Sequence, residues 1–118
     1  MPKSLMLVFS NPTSPQQEAE YNEWYTNKHL ADVVALPGIV GATRYKMEKA
    51  VGLDGIPTSA HSYLAIYEIE GDSVEAMEAA KQALADGMAK GTVDVSPALD
   101  GTALQTDFVR QITDRVAG

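Results

Sequence analysis

The sequence predicts an α+β domain built in the order β-α-β-β-α-β. Three observations carry that expectation. Two segments have helical periodicity, each opened by a capping signal and closed by a glycine. Short apolar runs of strand length flank both of them. A turn holding Gly52, Gly55 and Pro57 spans Lys49 to His61 and divides the chain into two similar halves.

The first strand is the apolar run Leu5 to Phe9. Ser14 then stands as a helix N-cap, with Pro15 at the first helical position and Gln17 where a capping box places Glu or Gln. The helix is expected to run from about Pro15 to Leu36 and to stop at Pro37-Gly38. Its buried face should be Tyr21, Tyr25, His29, Val33 and Leu36, because residues four apart stack along one side. Ile39 to Met47 reads as a second strand and Tyr63 to Ile69 as a third. Asp72 caps a second helix with Glu75 as its capping-box partner. Val74, Met77, Ala80, Leu84 and Met88 form the apolar stripe of that helix, and Gly91 ends it. Thr92 to Leu104 is irregular. Thr106 to Val116 reads as a fourth strand, with Phe108, Ile112 and Val116 on one face.

Two strand-helix-strand halves in this order make the split-βαβ, ferredoxin-like arrangement: a four-stranded antiparallel sheet with two helices on one face. Strands one and three are the central pair in that topology, and they are the most continuously apolar here. A strand with one wet face alternates apolar and polar residues. Met6 and Val8 point one way and Leu5, Leu7 and Phe9 the other, so both faces are apolar. The second face therefore needs a cover. A second copy of the same sheet is the natural one, which predicts a homodimer packed sheet to sheet, closing into an α/β barrel.

Composition narrows the partners. The 118 residues read as a single domain, 1–118, carrying a net charge of −7, no cysteine and two histidines. That charge argues against nucleic acid and against anionic membrane surfaces. The lack of cysteine excludes thiolate metal sites and a cysteine nucleophile. No phosphate loop, dinucleotide fingerprint or His-x-x-x-His pair is present, so no metal and no cofactor is expected. A haem would need an axial ligand, and only His29 is placed to offer one. Without a visible leader or an apolar run of spanning length, the chain reads as cytoplasmic by default.

The segment from Glu20 to Leu30, with Tyr21, Trp24, Tyr25 and His29, followed by Leu36-Pro37-Gly38 and Arg44-Tyr45, resembles the EthD-like branch of the dimeric α/β-barrel superfamily. Members of that branch carry an aromatic pair on the first helix, a histidine about four residues later and a Pro-Gly before the second strand. The resemblance implies a ligand cleft in each subunit between the sheet and the helices. Similar proteins include cofactor-free monooxygenases acting on polyketide-like phenols, polyketide cyclases, muconolactone-type isomerases, aldoxime dehydratases with haem, and many members of unknown role.

Among the residues that can do chemistry, His29 stands first. An imidazole exchanges protons near neutrality, and burial favours its neutral form. A core histidine bonded to a backbone carbonyl or to Asp32 explains the same residue without chemistry. Tyr25 can orient His29 or a substrate, and Tyr21 can stack on a ring or simply pack on the sheet. Tyr63 and Tyr67 share a face of the third strand with the small Ala65 between them, leaving room for a ligand or for the helix. Asn11 ends the first strand, where it serves a cleft mouth or a turn. Arg44 and Tyr45 point to opposite faces, so one of them enters the cleft unless Arg44 is paired to a carboxylate. Trp24 lies well around the helix from His29 and reads as a flank residue, and His61 reads as solvated. Together these residues suggest a cofactor-independent enzyme acting on a small aromatic, polyketide-like or lactone-like molecule by acid–base chemistry. His29 and Tyr25 would be catalytic, and Tyr21, Asn11, Tyr63, Tyr67 and Arg44 would bind substrate. The alternatives are a non-catalytic small-molecule-binding or stress-associated homodimer, or a structural dimer whose cleft is filled by its own side chains.

Overall fold

Period-two alternation and helical capping place six elements in a computed structural model, which describes residues 4–118. They are β1 (Ser4–Ser10), a first helix over 15–34, β2 (Ile39–Lys46), β3 (Tyr63–Ile69), a second helix (Val74–Lys90) and β4 (Gln105–Arg110). The sheet order is β2-β3-β1-β4 and every pairing is antiparallel. This is the expected ferredoxin-like sheet, with β1 and β3 at its centre.

The core lies between one face of the sheet and the helices. Alternation along β3 puts Tyr63, Ala65, Tyr67 and Ile69 on that face, level with Met6 of β1. Tyr21, Tyr25 and Val33 of the first helix and Ala80 of the second pack onto them. The opposite face carries Leu5, Leu7 and Phe9 of β1 beside Leu64 and Ile66 of β3, all half-buried in the single chain. No helix among the described residues is long and apolar enough to cross a membrane.

The first helix departs from a plain α-helix. Ser14 is extended and Pro15 opens the helix as expected, but neither Ser14 nor Gln17 caps it with a side chain. A 3₁₀ turn (Pro15–Gln17) leads into α-helix (Glu18–Trp24), a π-helical turn (Tyr25–His29) and α-helix again (Leu30–Val34). The helix ends two residues before Leu36, and the chain reverses at Gly38, whose φ of 87° suits glycine.

Three other boundaries differ from expectation. The second helix is capped by Ser73, whose Oγ accepts from the Ala76 amide at 3.1 Å, and not by Asp72. Both residue types cap well, so the sequence offers no means of choosing between neighbours. Val74, at the start of the expected stripe, is exposed. β4 stops at Arg110, opposite Ser4, where the described run of β1 also begins. Ile112 and Val116, expected on that strand, are 88% exposed.

Candidate functional site

A π-turn inserts one residue into a helix, and such insertions recur at functional sites. At 3.6 residues per turn, positions five apart diverge by roughly 140°. Across the inserted residue, Trp24 and His29 instead overlie each other, with ring centroids 4.5 Å apart. Tyr25 meets His29 edge to face at 5.0 Å and Trp24 at 5.3 Å. Trp24 thus joins Tyr25 and His29 on one side of the helix, where the sequence had set it on the flank.

These rings form one wall of a cavity of about 100 Å³ between the helices and the sheet. Met6, Val8 and Tyr67 floor it, and Leu84 and Met88 of the second helix stand opposite. Val95, Leu99 and Leu104 of the irregular segment close it over. Met88, Val95 and Leu104 are each nearly half exposed, so the mouth lies among them. The cleft beside His29 is therefore not filled by the chain's own side chains.

Burial drives the His29 imidazole below its ordinary pKa and favours the neutral form. The Asp94 backbone and the carboxylates of Asp32 and Asp94 oppose that shift, and Lys28 adds to it. Asp32 does not hold His29; it pairs with Lys28 at 2.8 Å. Nδ1 of His29 and Nε1 of Trp24 are buried with no hydrogen-bond partner among the described residues. Burial raises the Tyr25 and Tyr67 phenols, which therefore stay protonated near neutrality. Their hydroxyls approach to 3.5 Å, with Tyr67 as donor.

The other expected binding residues stand behind the cavity wall. Tyr21 is fully buried, and its hydroxyl lies 2.5 Å from Ser10 Oγ. Tyr63 donates to Glu18 at 2.5 Å and accepts from Asn22 at 3.0 Å. Asn11 shapes a turn, its Oδ1 accepting from the Ser62 amide at 2.7 Å. Arg44 faces the helix while Tyr45 is half exposed on the far side. Its guanidinium lies over Tyr25, Tyr63 and Tyr21 at 4.4, 5.1 and 5.3 Å and donates to Thr26 and Asn22. The structure thus brings His29, Tyr25 and Tyr67 to the cavity and sets Tyr21, Tyr63, Arg44 and Asn11 outside it. His61 is half-buried rather than solvated, with Nε2 2.7 Å from the Ala103 carbonyl.

Trp24 is the lining residue that sequence reasoning missed. An α-helical wheel turns it away from His29, and only the inserted residue brings it back. The Leu99 and Leu104 contributions were hidden for another reason: irregular segments carry no periodicity to read. No group of three or more His, Asp or Glu side chains among the described residues could hold a metal ion.

Known structures share this architecture. An EthD-family protein from Bacillus halodurans superposes with a TM-score of 0.57 at 17% identity, over 95% of this chain and 100% of that one. This chain shares the ferredoxin-like fold of that protein. HapK from Hahella chejuensis gives a TM-score of 0.57 at 14% identity, over 98% of this chain and 99% of that one. A MhuD variant with two manganese protoporphyrin IX groups bound per active site gives 0.56 at 16% identity, with the same coverage of 98% and 99%. No protein-family model matches the chain, and no curated protein matches it in sequence. The resemblance read from Glu20 to Tyr45 and the fold shared with an EthD-family structure over the whole chain point the same way.

Two outcomes follow. A folded-state His29 pKa below the unfolded value of about 6.5 means the unfolded chain binds more protons in that range. Its contribution to stability is complete above about pH 6.5 and is lost as pH falls toward the folded pKa. Urea melts should therefore show a decline over this window that is reduced in His29→Gln. Replacing Arg44 by Met removes a cation from three phenol faces and should cost about 2 kcal/mol in the same melts, with Arg44→Lys recovering only part.

Proposed function

We propose that this chain is a cofactor-independent enzyme that binds a small, largely apolar ring compound and moves a proton on it with His29. One observation carries the reading. Among the described residues, His29 is the single lining side chain of this apolar cavity that titrates near neutrality. Burial holds it neutral, which suits a general base, and the proton it accepts can be returned elsewhere on the same molecule. Tyr25 and Tyr67, kept protonated, are hydrogen-bond donors for a carbonyl or phenol oxygen. Such a set suffices for isomerisation, ring closure or elimination. An oxygenation would also need a phenol substrate that itself activates dioxygen.

The room available limits the substrate. A cavity of about 150 Å³ takes benzene. The cavity here, about 100 Å³ and open at its mouth, suits one small ring held partly inside it or part of a larger molecule that extends outward. The proposed chemistry uses no porphyrin of the kind bound in the MhuD structure.

The second face of the sheet supports a homodimer. Leu5, Leu7, Phe9, Leu64, Ile66 and Val109 make a continuous apolar surface there, and burying it against a second copy would give the cover that the pattern of β1 demands. Leu7→Lys, at its centre, should convert the dimer to monomer by light scattering. A wild-type chain that is monomeric at micromolar concentration would refute the assembly.

Proton transfer is tested by hydrogen–deuterium exchange at the acidic C–H of a panel of enolisable ketones, lactones and phenols. Binding is followed by the fluorescence of Trp24, the chain's one tryptophan. Wild type should accelerate exchange in at least one compound. His29→Ala and His29→Gln should each lose on the order of 100-fold of that rate while still binding. Full exchange in both variants would remove His29 from the mechanism. Binding with no exchange in wild type would favour the non-catalytic binding module.

A further inference from the structure

His29 lies where the π-turn meets the segment that closes the cavity, and that contact is made by Asp94. Its carboxylate pairs with Lys28, one residue before His29, at 2.7 Å. Lys28 also holds Asp32 at 2.8 Å, so releasing Asp94 would leave the ammonium paired. Both ends of the Lys28–Asp94 pair are about half exposed, which makes it weak and exchangeable. Beneath it lie the two unpartnered ring nitrogens, Nε1 of Trp24 and Nδ1 of His29. The Asp94 carboxylate approaches the Trp24 indole without completing a hydrogen bond, and the Asp94 backbone approaches His29.

We propose that Asp94 is the positioning residue for His29, its carboxylate resting on Lys28 while the imidazole is neutral and turning to the His29 and Trp24 ring nitrogens when the imidazole takes up a proton. The inference rests on the acid–base role of His29 proposed above. A neutral imidazole has one N–H and an imidazolium has two, while an indole nitrogen only donates. Protonating His29 therefore creates a charged donor in an apolar wall, and such a charge needs a nearby counter-charge. The charged groups acting on His29 are Lys28 and Asp32 on its own helix and Asp94 on the covering segment. Tyr25 and Tyr67 beneath it stay neutral. Met6, Val8 and Thr106 of the sheet and Leu84 and Met88 of the second helix offer no ionisable group. Among the described residues, Asp94 alone combines exposure and an exchangeable partner with a backbone beside His29 and a carboxylate beside the Trp24 indole. The preceding Val93 is buried, and the segment is tied down again at Ala98, whose carbonyl accepts from the Thr13 amide at 2.8 Å, so the motion required is a side-chain rotation.

The test is an NMR titration of the full isotope-labelled chain through the imidazole range, with the single indole N–H of Trp24 as reporter. In wild type the indole resonance should move with the His29 midpoint. Asp94→Asn should lower that midpoint by about half a pH unit or more and uncouple the indole from it. Asp94→Glu should restore both in part, and Lys28→Met should raise the midpoint. The inference is overturned if Asp94→Asn moves the midpoint no further than Asp32→Asn does, or if the indole still follows His29 without Asp94. Because the readout needs no turnover, a failure here is distinct from loss of the proton-exchange activity.

Discussion

Between Tyr25 and Val33, both buried against the sheet, the first helix turns through one residue more than an α-helix needs. A stripe of residues spaced by four drifts around a regular helix by roughly 40° per step. Tyr21, Tyr25, His29 and Val33 would soon leave the core if that drift went uncorrected. The π-turn at Tyr25–His29 takes it back, so that Tyr25 and Val33 lie on one face with 1% exposure each. The same inserted residue sets Trp24 over His29. The packing of the helix and the wall of the cavity are therefore one solution to one geometric problem.

What holds the helix in that position is a cation among phenols. Arg44 projects from β2 under Tyr21, Tyr25 and Tyr63, and its hydrogen bonds go to neutral partners, Asn22 and Thr26. A ring quadrupole attracts the guanidinium while its apolar body fills the core. The tyrosine hydroxyls find Ser10, Glu18, Asn22 and one another. The Arg44 face of the cluster is structural and the Tyr25 and Tyr67 face is open to the cavity. Tyr25 belongs to both, which couples the stability of the helix to the shape of the site.

The cavity is closed from outside by a segment that has no repeating structure but is not loose. Leu99 bridges to Pro12, the Asp100 amide donates to the Asn11 carbonyl, and the Ala103 carbonyl accepts from His61 Nε2. Asn11 and His61, polar residues beside the first strand, thus act on the site by anchoring its cover. Their chemistry is spent on backbone: Asn11 takes the turn role that the sequence offered it, and His61, read as a solvated loop residue, holds the Ala103 carbonyl instead.

Local rules carried the reading a long way. Alternation over Tyr63 to Ile69, the apolar run of β1, Pro15 at a helix start and the glycines at 38 and 91 each depend on neighbours within one turn or one strand. From them came the element order, the four-stranded sheet with β1 and β3 central, and His29 as the member of its stripe that packing does not explain. The tertiary structure decided what depends on distant partners. Arg44 met phenols rather than a carboxylate because β2 passes beneath the first helix. β4 pairs with β1 as far as Arg110, and Ile112 and Val116 beyond it are exposed. Trp24 became a wall because the core required an extra residue in the helix, and Asp94 reached the π-turn across 66 residues of chain. Periodicity records which face of an element is apolar; it holds no record of the partner that face will meet or of the distortion that meeting imposes.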